Sequence, residues 1–317
     1  MLLLIMMKTK GNSMFKTMIT AAVLALVSTA SMAEQITINL CTGGEGKPYH
    51  QTGNYIESFL KDSKNIKVNV ITTKGTWDNI ERTTSVTATP ETIASGESCQ
   101  AFIGQPDGAV QLKRKNPAVA SQLSIIGQGP VEYLHVLCGK DSGIEDLYQL
   151  AGDNSRSVAL GASGSGAWLI WQNFIAEDAS YAEVQVSAKD GALAMSDVAN
   201  GTTSCMIVPA ALGNATVLQA DTDFGDSLVL AGANDKDFND ATNIDGKALY
   251  RWETIPSGTY PTYLQAGWFT STDTIAWQAG IYVNAEYFDG KDAALSDLIT
   301  AVAKAKPAIK KTFGTLE

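Results

Sequence analysis

The side chains that most often run acid–base, nucleophilic or metal chemistry are scarce in this sequence. It holds two histidines, His50 and His135, and four cysteines, Cys41, Cys99, Cys138 and Cys205. Two histidines leave multi-histidine metal sites and multi-histidine catalysis almost without material. No C-x-x-C is present, so a zinc knuckle or thioredoxin-like dithiol has no support. The segment GASGSGA at 161–167 contains serines, but Ser165 stands where a nucleophile elbow needs its second glycine. It is neither G-x-G-x-x-G nor a Walker loop. His50 is a formal base for Ser163, but a histidine in a loop is more commonly a surface or ligand-contact residue. Asp107 is a formal general base, but a carboxylate at a loop–helix junction more commonly caps the loop. No catalytic set and no metal or cofactor motif emerges.

What the sequence does supply is loops suited to holding a ligand. Thr42-Gly43-Gly44, Gly75-Thr76-Trp77, Gln105-Pro106-Asp107 and Ser163-Gly164-Ser165-Gly166 each follow a strand-like segment, as does Val208-Pro209-Ala210-Ala211. Most of them lead into a helix. Helix N-termini offer unpaired N–H groups and partial positive charge, which suits a carboxylate or phosphate. Glycine lets backbone approach a ligand closely. Trp77 and Trp168 directly follow two of the loops as candidate aromatic walls. Lys47 and Lys74 are the cations in these loops, and Lys74 reads as a solvated surface residue.

The elements that would position these loops alternate in period. Ile36, Ile38 and Leu40 alternate as a strand, and Tyr55, Ile56, Phe59 and Leu60 have helical spacing. Ile66, Val68 and Val70 form a strand, AFIG at 101–104 another, and a helix is expected over 108–115. LSIIG (123–127) and VEYLHVLCG (131–139) read as two strands. Ser142 reads as a helix N-cap with Glu145 at the capping-box position and Gly152 as the stop. RSVALG, VQVSA and SCMIVPAALG read as strands, alternating with helices WLIWQNFIAE and GALAMSDVANG. Residues 214–262 give weak signals. Leu295, Leu298, Ile299 and Val302 share a helical face. Strand–loop–helix–strand thus recurs before residue 128 and after 153, which predicts an α/β protein of two lobes with a cleft between them.

Length and composition agree. The 317 residues are 45% hydrophobic and 18% charged, which fits a globular chain of about two domains. The net charge of −10 argues against nucleic acid as a partner. Residues 14–33, MFKTMITAAVLALVSTASMA, combine Lys16, a short apolar run and a Ser31-Met32-Ala33 cleavage site. They read as a secretory signal peptide (1–33) cleaved after Ala33, with Met1 or Met14 as the start. The mature protein is then exported, to the periplasm in a Gram-negative bacterium. In an oxidising compartment one or two disulfides are plausible, with three full pairings open, and buried free thiols stand as the alternative.

Several segments together resemble one family. CTGGEGKPYHQTG is similar to the TGG-x-G-x-x-Y-x-x-G segment of TAXI-type solute-binding proteins of TRAP transporters. TKGTWDNI and GQPDGA sit where that family has its Thr-Gly-Gly-Ser-x-x-Asn and Gln-Ser-Asp loops. DSGIEDLYQLAGDNSRSVALGASGSGAW resembles its most specific block, and TIPSGTYP its Ile-Pro-x-Gly-x-Tyr segment. The resemblance covers 36–317. It implies a two-lobed type II periplasmic binding fold without catalysis or cofactor. Lobe 1 would be 34–136 plus 262–317 and lobe 2 137–261, with hinge strands near 128–138 and 255–265. The protein would be a monomer. It would carry a small-molecule solute, an organic anion or amino acid of glutamate or dicarboxylate type, to TRAP membrane permease subunits. Carried over, the site comprises Thr42, Gly43, Gly44, Lys47, Tyr49, Gly75, Thr76, Trp77, Gln105, Asp107, Ser163, Gly164, Ser165, Gly166, Trp168, Pro209 and Ala210. Lys74, Trp77, Trp168, Glu45 and Lys47 depart from the family pattern and point to a bulkier, more aromatic-compatible solute. The rival readings are a binding protein of an ABC importer or a periplasmic sensor, a secreted α/β hydrolase, and a surface antigen or adhesin.

Overall fold

The period-two segment at the start of the sequence forms the strand that it predicts, β1 (Ile36–Cys41), with Ile38 and Leu40 fully buried. The computed structural model describes residues 35–267 and 270–316. The expected signal peptide lies outside the described residues. β2 (Ile66–Ile71) and β3 (Ala101–Gly104) follow, then β4 (Leu123–Gly139), β5 (Ser157–Ala159), β6 (Gln185–Ser187), β7 (Cys205–Ala210), β8 (Leu228–Ala231), β9 (Arg251–Ile255) and β10 (Thr272–Asn284). The longer helices are α1 (Pro48–Ser58), α2 (Thr76–Thr84), α3 (Pro106–Lys115), α4 (Gly166–Glu177), α5 (Gly191–Ala199) and α6 (Asp292–Phe313). None among the described residues is long and apolar enough to cross a membrane.

The strands form one mixed sheet in the order β2-β1-β3-β10-β4-β7-β5-β6, with β8 on β4 and β9 on β10. Two parallel trios, β2-β1-β3 and β7-β5-β6, are separated by the antiparallel pair β10–β4. That pair runs from Ala276–Tyr133 to Asn284–Leu123 with two register shifts, at Gln278/Gly280 and Ile281/Tyr282, so both half-sheets are built on the same two long strands. Each half-sheet buries both of its faces. Ile38, Leu40, Ile56 and Leu298 pack on one face of the first half, and Ile80, Phe102 and Tyr282 on the other. Val136, Trp171, Phe174 and Phe238 cover one face of the second half, and Met195, Val198 and Met206 the other. Parallel strands covered on both sides are the reason for their near-continuous apolar runs.

Three local expectations differ from the structure. The two strands expected at 123–127 and 131–139 are one 17-residue strand, β4, which continues through Gly129 and Pro130 where its ladder with β10 shifts register. Ser142 does not cap a helix. It ends a single 3-10 turn at Lys140–Ser142, closed by Gly143 at φ +68°, and Asp146 instead caps the short turn Leu147–Leu150 with Gln149. The second strand shared by both halves is β10, not 255–265, where Pro256 and Gly258 turn the chain.

The four cysteines form two disulfides. Cys41–Cys99 ties the end of β1 to the approach to β3, and Cys138–Cys205 joins directly opposed residues of β4 and β7.

Candidate functional site

The C-terminal ends of the parallel strands in both halves deliver their loops to one seam, and α3 lies across it. Tyr49 in the first turn of α1 donates its hydroxyl to Glu132 Oε2 at 2.9 Å. Thr76, buried at the start of α2, accepts the backbone N–H of Gln105 on Oγ1 at 3.0 Å. Gly75 takes φ +116° before it, a conformation that an L side chain resists. Gln105 and Asp107, at the start of α3, are 3% and 0% exposed. Asp107 Oδ1 accepts from Asn173 Nδ2 at 2.8 Å and from the Tyr250 hydroxyl at 2.5 Å, both in the second half.

The second half meets these residues through α4 and the loop before it. Gly164, at φ +84°, lies so close to Trp77 that an added Cβ would stand 3.2 Å from the Trp77 Cβ. A Cβ on Gly166 would stand 2.8 Å from Gln105 Oε1. Ser165 caps α4, accepting from Trp168 N–H at 3.2 Å and donating to the Leu160 carbonyl at 2.6 Å. The Lys115 ammonium sits 4.8 Å from the Trp77 ring centre and 5.5 Å from that of Trp168, a cation between tryptophans of opposite halves. Beside Ser165 and Gly166 a cavity of about 360 Å³ is lined by Gly161, Lys189, Asp190, Pro209 and Thr216.

The seam therefore gathers Tyr49, Gly75, Thr76, Trp77, Gln105 and Asp107 from one half with Gly164, Gly166 and Trp168 from the other. Ser165 and Pro209 face the adjoining cavity, and Ala210 is buried in the last position of β7. Ser163 is exposed on the outer side of its loop. The remaining residues of the first loop are placed differently. Thr42 is turned into the core, donating its hydroxyl to the Ile71 carbonyl at 2.9 Å. The Gly43 carbonyl is tied to Thr73 N–H at 3.3 Å. Gly44 and Lys47 form an exposed turn. A hydroxyl spent on the sheet and a lysine in solvent are not presented to the seam.

Five seam residues have no counterpart among the expected ones: Glu132, Trp277, Asn173, Tyr250 and Lys115. Glu132 is the most telling. Its Oε2 also accepts from Trp277 Nε1 at 2.9 Å. Burial pushes its carboxyl up to about 7, against the hydrogen bonds from Tyr49, Trp277 and Gln105. Burial likewise raises Asp107, against its bonds from Tyr250 and Asn173. A signal existed: Glu132, Leu134, Val136 and Cys138 share one face of β4, and three of the four are apolar core. An acid in such a row is out of place unless it is used.

A cavity of about 580 Å³ lies at the other end of the second half-sheet, around Gly139, Lys140, Arg156 and Asn200. Its cations are already engaged. Lys140 donates to the Gly225 and Asp226 carbonyls, and Arg156 to Asp153 and the Ser142 carbonyl. The seam, with its buried unengaged groups, is the better candidate. Among the described residues no group of three or more His, Cys, Asp or Glu is placed to hold a metal ion.

The profile of the NMT1-like family matches residues 40–292. No curated protein matches the sequence. Among solved structures, a periplasmic sulfonate-binding protein of a sulfonate ABC transporter, SsuA from Methylobacillus flagellatus, aligns at TM-score 0.50 and 11% identity, covering 89% of this chain and 71% of that one. MatC from Rhodopseudomonas palustris with bound malate aligns at 0.46 and 13%, covering 85% and 84%. A TRAP periplasmic solute-binding protein from Ochrobactrum anthropi aligns at 0.44 and 9%, covering 88% and 77%. At such identities the first of these speaks to the fold alone: two α/β halves sharing long central strands.

Proposed function

This chain belongs to the NMT1-like family, and from that membership and the seam we propose that it is an exported solute-binding protein. It captures a small organic anion or amino acid between two lobes and hands it to a membrane permease of TRAP type, without chemical conversion. The observation that carries this reading is the meeting of loops from both half-sheets, Trp77 on Gly164 and Gln105 on Gly166, at the carboxyl ends of the parallel strands. The lobes would be 34–136 with 262–317, and 137–261, turning about β4 and β10. Opening along the seam admits solute, and closure buries it, giving the permease a distinguishable form. Signal-peptide cleavage after Ala33 delivers the chain to the periplasm.

A thermal-shift screen over dicarboxylates, amino acids, keto acids and sulfonates tests the reading. Bound solute raises apparent stability by about 2.7 kcal/mol at a hundredfold excess over its Kd. Silence across all classes, or turnover of ester probes, would overturn it. The ABC importer reading predicts that the loaded protein stimulates an ATP-hydrolysing importer in vesicles. The TRAP reading predicts uptake driven by an ion gradient alone.

A further inference from the structure

We infer that the floor of the seam takes a protonated nitrogen of the solute, an ammonium or guanidinium, with Glu132 as its principal acceptor and Asp107 and Gln105 beside it. This inference rests on the solute-binding reading and adds a ligand chemistry to it. Glu132, Asp107 and Gln105 are 9%, 0% and 3% exposed, at the point where α1, α3, β4 and β10 meet α4. Two of their oxygens, Gln105 Oε1 and Asp107 Oδ2, have no hydrogen-bond partner. Buried acceptors without donors are rare, and each costs free energy until something supplies the missing hydrogen. The side-chain donors that the protein supplies here are neutral: Tyr49, Trp277, Asn173, Tyr250 and the Gln105 amide.

Among the described residues no cation pairs directly with either carboxyl, and the Arg114 charge acts on Asp107 only from beyond Asn173. The four salt bridges among the described residues involve neither Glu132 nor Asp107. Arg114, the nearest cation on α3, gives its guanidinium to Asn173 and to Glu177 at 2.8 Å. Lys115 sits over the two tryptophan rings, and Lys47 is in solvent. A solute offering only carboxylates to this floor would meet like charge away from water, where screening is weak. A protonated nitrogen would supply both the missing charge and the missing donors. The competing account is a purely structural one, in which Glu132 keeps its proton and donates it to Gln105.

Calorimetric titration of the mature chain with three matched pairs separates these accounts: putrescine and succinate, L-glutamate and 2-oxoglutarate, 4-guanidinobutanoate and glutarate. The expected result is that at least one nitrogen-bearing member binds, and its nitrogen-free partner binds about tenfold more weakly or not at all. Glu132→Gln keeps the shape and removes the charge. It should weaken the nitrogen-bearing ligand about tenfold or more while circular dichroism and Tm show an intact fold, and Asp107→Asn should do the same to a lesser degree. Full affinity in Glu132→Gln would establish the structural acid and overturn the inference. Equal or tighter binding of the nitrogen-free acids would overturn it while leaving the solute-binding reading standing. Silence of all six would overturn it and count against that reading as well.

Discussion

At the scale of single residues, Glu132 couples the seam to the stability of the fold. Its carboxyl moves from an ordinary 4.5 to about 7 in the folded chain, chiefly by burial. An acid raised in this way is favourable to folding while protonated, so its contribution is full below about 4.5 and is lost as pH rises through 7. Glu132→Gln should therefore be more stable than the native chain at pH 8, by up to about 3 kcal/mol, with the difference closing towards pH 4. Urea titrations at the two pH values measure it, and a pH-independent difference would refute it. Asp221 works with the opposite sign. Burial opposes its charge, but N–H groups of Leu264, Tyr263 and Thr262, at 2.8 to 2.9 Å, hold its carboxyl below the ordinary range. Its contribution is present above the ordinary carboxylate range and is lost as pH falls. Asp221→Ala strands three donors and should cost about 3 kcal/mol at pH 7, read from the urea midpoint; a loss within error of zero would show that water replaces the carboxylate. The two residues also mark the limit of legibility. Composition and spacing pick out loops, and they singled out Gln105 and Asp107, which the fold buries at the start of α3. They could not show that Thr42 turns inward, because a threonine after a strand looks the same whether its hydroxyl meets ligand or the neighbouring carbonyl.

At the scale of elements, the sequence was most readable where period and length agreed. β1, β2, β3 and the helix over 108–115 stand where alternation and helical spacing put them, the helix starting two residues early because Pro106 occupies its first position. The long strands were the hard part. β4 reads as two strands because Gly127, Gly129 and Pro130 imitate a turn, whereas the strand runs on through them with a register shift against β10 at that point. Pairing between residues about 150 apart leaves no local trace. The cysteines were similarly silent: their types allowed three pairings, and the sheet brings Cys138 and Cys205 opposite one another. Their sequence separations of 58 and 67 residues make each bridge worth about 4 kcal/mol by loop-closure entropy. The double variant Cys138→Ser, Cys205→Ser should lower stability by roughly that amount in chemical denaturation. An unchanged midpoint would show that this bridge does not stabilise the fold by restricting the unfolded chain.

At the scale of the whole molecule, if the lobes close over solute as proposed, the bonds across the seam decide how readily the two halves would part. Arg114 on α3 reaches Asn173 and Glu177 on α4, Asp107 reaches Asn173 and Tyr250, and Lys115 touches Trp77 and Trp168. The halves are also joined through the long strands β4 and β10 and through Lys113, which donates to the Ile244 carbonyl at 3.1 Å. On that reading the joined form would be held by these polar contacts, each worth about 1 to 3 kcal/mol, together with the apolar cluster that joins Val110 and Trp277 to Trp171 and Phe174. Arg114→Ala removes the guanidinium contacts to Asn173 and Glu177 and leaves the side chains of Glu132, Gln105 and Asp107 in place. It should shift the solute-free chain towards parted halves, seen as a larger radius of gyration in small-angle scattering. Saturating solute should return it to the native radius, because a ligand bridging both halves favours the joined form by its differential affinity. Apparent affinity should fall by the same factor as the joined population, about tenfold for each 1.4 kcal/mol lost. A variant whose radius and affinity both match the native chain would show that packing of α3 on α4, rather than the arginine, holds the seam. A larger radius with unchanged affinity would separate closure from binding and remove the lobe-closure mechanism altogether.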